Sequence, residues 1–351
     1  MASHRASADE IRQFILKNVT AHPKDITRET AEHFNLTRQR ASQYVRGLVR
    51  DGQLQASGNT KARSYELIAL VRHVDEMAVT ARLEEHVIWR DSILPYMHDV
   101  HSNVLDICQY GLTEMVNNVV SHADARTLRV TVFRNPVLIQ LVVDDDGIGI
   151  FRRIQETFGY DDPRHALLEL SKGKITSDPD RHTGEGIFFT SKMFDDFTIW
   201  SGGLFYSSTR RDEDWLLEVE EGVSLPNSLG GTFVSMEIYA DATQTTKEIF
   251  DQYASADEYD FSRTHVPILL AKYESEQLVS RSQARRVLAR FDRFKEVMLD
   301  FQGVEMIGQA FADEIFRVFR NEYPGIEIVV INTAPPVMDM INRAKRGVEG
   351  A

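Results

Sequence analysis

The chain of 351 residues is 42% hydrophobic and 26% charged, carries a net charge of −13 and contains one cysteine. Those proportions belong to a globular protein of two or three domains and exclude collagen-like, disulfide-scaffold and low-complexity classes. Cys108 has no partner for an internal disulfide, no apolar run reaches the roughly 20 residues that span a bilayer, and no signal-peptide pattern opens the chain; a cytoplasmic protein without membrane contact is expected. No cysteine or histidine cluster has the spacing of a structural zinc site.

Charge is unevenly spread. Residues 1–69 hold 11 Lys and Arg against 7 Asp and Glu, a balance of +4, which leaves −17 for residues 70–351. A basic head on an acidic body directs nucleic acid to the head. Its pattern predicts helices over Ala8–Asn18, Asp25–Phe34 and Thr37–Val49, then a hairpin over Leu54–Leu67 turning at Gly58-Asn59. In the third helix Ala41, Val45 and Leu48 point inward, while Arg38, Gln39, Arg40, Gln43 and Arg46 face out; Lys61 and Arg63 lie near the hairpin tip. The segment resembles the winged helix-turn-helix of bacterial transcription regulators. By that resemblance the third helix reads base edges in the major groove and the hairpin basics meet phosphates. A winged helix used for protein contacts would share the same pattern. Residues 70–100 are expected to be a mostly helical linker, with the helix over Val74–Asp91.

Four short motifs follow in order. In Tyr110–Ala123, Glu114, Asn118 and His122 recur at steps of four and share one helix face with Asn117 and Ser121, opposite Leu112, Met115, Val116, Val119 and Val120. That polar face has no lysine or arginine, which an ordinary solvated face usually carries. Glu114 there could activate a water or hydroxyl, and Asn118 could offer its side-chain oxygen to Mg²⁺. Two strand-like runs, Thr127–Phe133 and Val137–Val143, flank a turn at Arg134-Asn135-Pro136 and lead into Asp144-Asp145-Asp146-Gly147-Ile148-Gly149. A buried carboxylate at that strand end can accept from an exocyclic amine. Residues 170–182 are polar and aperiodic and predict a mobile lid, from which Lys172, Lys174 and Arg181 could reach a phosphate. Gly184-Glu185-Gly186 then opens a helix over Phe188–Phe194, where glycine N–H groups can cradle phosphate. The fourth motif is Gly231-Thr232.

Together the set resembles the GHKL ATPase superfamily, which includes gyrase B subunits, MutL-type repair ATPases, sensor histidine kinases and anti-sigma-factor serine kinases. The N box corresponds to Glu114, Asn118 and His122, in the form closest to the anti-sigma kinases. The D-x-G-x-G box corresponds to Asp145, Gly147 and Gly149, the second glycine box to Gly184 and Gly186, and the late threonine to Thr232. The resemblance spans residues 101–240 and implies a two-layer α/β sandwich of the Bergerat type. It implies ATP against Asp145 and Thr232, Mg²⁺ on Asn118, phosphates near Gly184, Gly186 and Lys174, and Glu114 as the base.

After a linker over residues 241–264, strands over Pro267–Lys272, Glu296–Phe301 and Ile326–Ile331 alternate with helices over Ser282–Phe294, Gln309–Asn321 and Pro335–Arg346, the pattern of a small parallel sheet. Val297–Gly308 resembles the STAS-like fold of anti-anti-sigma proteins. Switching members of that family carry an Asp-Ser phosphorylation pair at the next positions, whereas this chain has Gly308-Gln309; a surface for a protein partner is expected instead. The expected class is thus α/β multidomain: winged helix over 1–69, linker over 70–100, GHKL sandwich, linker, and a small STAS-like βα domain over 265–351. The expected function is a DNA-binding transcriptional regulator switched by ATP and Mg²⁺, with ATP-dependent homodimerisation as one route. The alternatives are a serine/threonine kinase acting on a partner, in the manner of the anti-sigma kinases, and a DNA-associated clamp ATPase.

Overall fold

The computed structural model describes residues 6–59, 62–160, 162–175, 184–209, 215–218, 228–254, 261–272 and 277–346. The protein is a mixed α/β chain with more than one domain, and it divides into two compact units. The smaller comprises residues 1–74 with 131–140 and 238–242; the larger comprises 75–130, 141–237 and 243–351.

In the smaller unit α1 (Ala8–Asn18), α2 (Ile26–His33) and α3 (Arg38–Arg50) precede β1 (Leu54–Ser57) and β2 (Ser64–Leu67). Side chains set the helix starts. The Ser7 hydroxyl accepts from the Glu10 N–H while Glu10 returns a bond to the Ser7 N–H, and Thr37 accepts from the Arg40 N–H. Ile11, Ile15, Leu16, Ile26, Val45 and Leu48 form its core, closed by Leu54 and by Val137. Each such burial stabilises by about 1.5–3 kcal/mol. β1 and β2 pair antiparallel, with Leu54 opposite Leu67.

The next element corrects the helical linker expected over 70–100. Residues Val71–Ala78 form a strand, β3, and helix is confined to α4 (Glu85–Ile88), a π-helical stretch over Trp89–Ile93 and a 3₁₀ turn over Leu94–Tyr96. Exposure alternates residue by residue along β3, a period of two that outweighed the helix-forming Glu and Met. The long α5 (Ser102–His122) leads to the hairpin of β4 (Thr127–Arg134) and β5 (Leu138–Asp145). Then come α6 (Ile150–Phe158), α7 (Pro163–Lys172), α8 (Gly186–Met193), β6 (Asp196–Ser201), β7 (Leu204–Thr209), β8 (Trp215–Glu218) and β9 (Thr232–Tyr239). The seven strands form one sheet in the order β3-β4-β5-β9-β6-β7-β8. Inward positions of the hairpin are Leu128, Val130, Val132, Ile139, Leu141 and Val143, all buried. α5 buries Leu112, Met115, Val116 and Val119 and packs beside α8, which lies against β6 and β7.

Two further expectations shift. The first residues of the lid expected over 170–182 are helical instead, because α7 continues to Lys172 with Leu170, Ser171 and Lys172 buried; residues 176–183, which include Arg181, lie outside the described residues. The linker over 241–264 contains α9 (Thr246–Tyr253), capped by Thr245 and Glu248, and ends in β10 (Arg263–Pro267). That strand starts earlier than the expected Pro267–Lys272. Thr264 and Val266 supply its buried alternation, and beyond Pro267, which has no N–H for the ladder, Ile268–Ala271 turn into a 3₁₀ helix. α10 (Arg281–Leu288) stops short of Phe294, with a turn at Arg290 (φ 63°). β11 (Glu296–Asp300), α11 (Gln309–Asp313), a π-helical continuation through Phe319, α12 (Arg320–Glu322), β12 (Glu327–Ile331) and α13 (Pro335–Arg346) complete the chain. β10, β11 and β12 form a parallel sheet, with Leu299 between Val266 and Val330. Among the described residues no helix is long and apolar enough to cross a membrane.

Candidate functional site

The C-terminal half of α5, the end of β5, the start of α6 and the entry to α8 enclose a cavity of about 350 Å³. Glu114, Asn118 and His122 line it from α5; Asp145 from the end of β5; Gly149 from the cap of α6; Gly184 before α8 and Gly186 at its first position; and Thr232 from β9. Gly147 is not in the lining, but its N–H donates to Asp145 Oδ1 at 2.7 Å. Motifs 118 residues apart at their extremes, Glu114 and Thr232, thus wall one cavity.

The three successive aspartates do different work. Asp144, 2% exposed, accepts from the Leu229 N–H at 3.1 Å and pairs with Arg129 at 3.3 Å. Asp146 accepts from the N–H groups of Arg126 and Thr127 and so braces the start of β4. Asp145 alone lines the cavity. Burial pushes its carboxyl up to about 6, against the opposing pull of N–H donors from Gly147 and Thr232. The Gly231 N–H donates to the Asp145 carbonyl at 2.8 Å, and the Thr232 hydroxyl accepts from the Ile150 N–H at 3.0 Å, joining β9 to both β5 and α6. A Cβ on Gly231 would collide with Asp145 Oδ1, which accounts for glycine there.

Glu114 has its carboxyl raised by burial, and the Glu85 charge adds to this. Gly186 sits against it so closely that a Cβ would collide with Glu114 Oε2. The Asn118 amide is inside the cavity wall, and its buried Nδ2 has no hydrogen-bond partner among the described residues. An unpaired buried amide costs about 1–3 kcal/mol and is relieved when something polar binds.

Arg153 was not picked out by the sequence. It lines the cavity from the first turn of α6, donates from Nε to the His122 carbonyl at 2.7 Å and pairs with Asp124 at 2.8 Å. Its one sequence signal is position, a cation just after Gly149. Apolar lining comes from Val143, Ile150, Ile154, Phe158, Ile199 and Val234.

The two lysines considered for phosphate contact are turned elsewhere. The Lys172 ammonium is fully buried; it pairs with Glu169 and donates to the carbonyls of Arg286 (3.2 Å) and Ala289 (2.9 Å) at the end of α10. Arg290 pairs with the same Glu169 at 3.1 Å. Lys174 lies over the rings of Phe261 and Phe294, donates to the Arg293 carbonyl at 3.2 Å and is absent from the cavity lining.

On the smaller unit Arg38, Gln39, Arg40, Gln43 and Arg46 are all exposed, on the side of α3 opposite buried Ala41, Val45 and Leu48. The Arg40 guanidinium lies over Tyr44 and donates to Gln43 at 3.1 Å. Arg63 lies over Tyr65, and Lys61 is outside the described residues. Nearby, His22, Asp25 and Glu29 cluster closely enough for a metal, but Arg28 already bridges Asp25 (2.5 Å) and Glu29 (2.9 Å).

No curated protein matches the chain. Residues 283–338, from α10 through β11 and β12 into α13, match a family described as a STAS-like domain of unknown function (DUF4325). The C-terminal part of the chain is therefore STAS-like.

Proposed function

We propose that the cavity binds ATP with Mg²⁺, in the manner of the GHKL ATPases, and that occupancy switches how the N-terminal winged helix engages DNA. The observation that carries this is the convergence of Glu114, Asn118, Asp145, Gly186 and Thr232 on one cavity of about 350 Å³, a volume suited to a mononucleotide. The donor chemistry fits the ligand. Asp145 supplies a buried acceptor for an exocyclic amine, with the Gly147 N–H beside it, and the apolar lining from α6 suits a base. The entry to α8 presents N–H groups for phosphate.

Asn118 would hold Mg²⁺ through its side-chain oxygen, with its unpaired Nδ2 left to donate to a ligand oxygen; the ion neutralises phosphate charge when bound. The need for it is high, because Arg153 is the only arginine or lysine among the described cavity residues and it already pairs with Asp124. Glu114, kept basic by its raised pKa, would take a proton from the attacking water or hydroxyl. The row of exposed Arg and Gln on α3 supports major-groove readout, with Arg63 on a phosphate.

The second reading, a kinase acting on a protein partner, is favoured by the attached STAS-like domain, although Gly308-Gln309 at the start of α11 provides no acceptor serine. One experiment separates the two. The protein is incubated with Mg²⁺ and γ-labelled ATP, and the label is followed. Label released as phosphate supports the ATPase switch; label on a protein supports the kinase. The DNA half of the proposal fails if DNA affinity at fixed salt is unchanged by ATP and by Asn118→Ala.

A further inference from the structure

Strand β3 ends the seven-stranded sheet, and among the described residues no strand pairs with its outer edge. Edge strands are usually blunted by charged side chains, lysine above all, by proline or by a bulge, because an unpaired row of N–H and C=O groups recruits another strand; the charges of this edge, Arg72, Asp75 and Glu76, are of mixed sign. Residues 70–78, Leu-Val-Arg-His-Val-Asp-Glu-Met-Ala, contain neither lysine nor proline. They also include two of the most exposed large hydrophobic side chains among the described residues, Leu70 (50%) and Val74 (52%).

The sequence of this edge is its own complement. In an antiparallel pair of identical strands centred on Val74, Val74 faces Val74 of the second copy. His73 faces Asp75, Arg72 faces Glu76, Val71 faces Met77 and Leu70 faces Ala78. Arg72 faces Glu76 with opposite charge, His73 can donate to Asp75, which already accepts from Ser92, and every other facing pair is apolar with apolar. Neighbouring registers lose this property. Centring on His73 sets Arg72 against Val74 and Val71 against Asp75; centring on Asp75 sets two aspartates against each other and Val74 against Glu76. The exposed side chains Arg72, Val74 and Glu76 lie on one face of the strand. Glu76 already accepts from Arg129 at 2.8 Å, so pairing would flank its carboxylate with a second guanidinium.

We propose that two copies of the chain associate by antiparallel pairing of their β3 edges in the register centred on Val74, giving a two-fold dimer with one continuous sheet. The occupant is a second copy because the complement of the edge is the edge itself. This isologous arrangement is the commonest symmetry of protein dimers. The interface is formed by backbone ladders, with side-chain charges selecting the register.

The test is sedimentation equilibrium of the full chain over a range of concentrations without nucleotide, so that its outcome is independent of the ATP proposal. Wild type is expected to dimerise. Arg72→Glu and Glu76→Arg should each raise the dissociation midpoint by about tenfold or more, since each sets like charges opposite at two symmetric positions. An equimolar mixture of the two variants should return the midpoint to near that of wild type. Val74→Asp and Val74→Lys repeat the logic at the centre without touching Arg129: each alone weakens the dimer, and the mixture restores it. Thermal melts check that every variant is folded. A wild type that stays monomeric, a dimer unmoved by both the Arg72 and Val74 changes, or mixtures that fail to restore association would each overturn the proposal.

Discussion

Asp145→Asn should make the ligand-free protein more stable at neutral pH while weakening its hold on adenosine. The carboxyl titrates near 6 in the fold, against about 3.9 in an unfolded chain. Between those values the native state keeps the proton and the unfolded state has lost it, so stability falls as pH rises through this window. Above the folded value the penalty is complete, about two pKa units or roughly 3 kcal/mol. Asparagine has the same shape, stays neutral and retains an oxygen to accept the Gly147 N–H. Urea unfolding of the two proteins at about pH 7.5 should show the variant ahead, with the gap closing to about half by about pH 5. The diagnostic is the pH dependence of the gap, because reorganisation beside Thr232 changes its size but not its slope. Calorimetry with adenosine, which has no phosphate to titrate, should show wild-type affinity falling as pH drops through 6, and weak, pH-independent binding by the variant. A variant less stable by an equal amount at both pH values, or wild-type affinity flat across the window, would refute the account of this carboxylate.

Other substitutions test other parts of the cavity and its surroundings. Glu114→Gln should bind ATP about as tightly as wild type, within threefold or so, yet reduce label release or transfer by about 100-fold or more, as expected for loss of a general base; unchanged turnover would remove Glu114 from that role. Lys172→Met should cost about 1–3 kcal/mol in thermal or urea unfolding, because the Arg286 and Ala289 carbonyls lose their donor and Glu169 keeps only Arg290; a neutral outcome would mean that water already reaches this cluster. Arg40→Ala with Arg46→Ala should lower the salt dependence of DNA binding by about one unit per lost phosphate contact, or relax sequence preference if they read bases, as measured by titrations at several salt concentrations.

The cavity was legible in the sequence because its parts are short and locally defined. Glu114, Asn118 and His122 declare a helix face by spacing alone, and Gly186 and Gly231 occupy positions where a side chain would strike Glu114 or Asp145. The hairpin of β4 and β5 was equally local. What escaped depends on distant partners. Lys172 reads as a loop cation until Arg286, Ala289 and Arg290 are brought to it from more than a hundred residues on. Arg153 acquires meaning only through the His122 carbonyl and Asp124. The helix assigned to Val74–Asp91 failed because β3 gains its stability from a neighbouring strand, and helix propensity sees no neighbours.

The buried cluster of Glu169, Lys172 and Arg290 bears on where the chain can be cut. Leu170 and Ile175, on either side of Lys172, belong to the cavity wall, while the carbonyls that receive its ammonium close the C-terminal end of α10. Thr264 also donates to the Lys172 carbonyl, from β10. A truncation that removes the STAS-like part would take away Arg290 and the carbonyls of Arg286 and Ala289 that hold this ammonium beside Glu169. The end of α7 and the C-terminal sheet therefore form one cooperative unit, whose amides should exchange with solvent together, and the segment that carries the cavity is not a portable module that ends before β10.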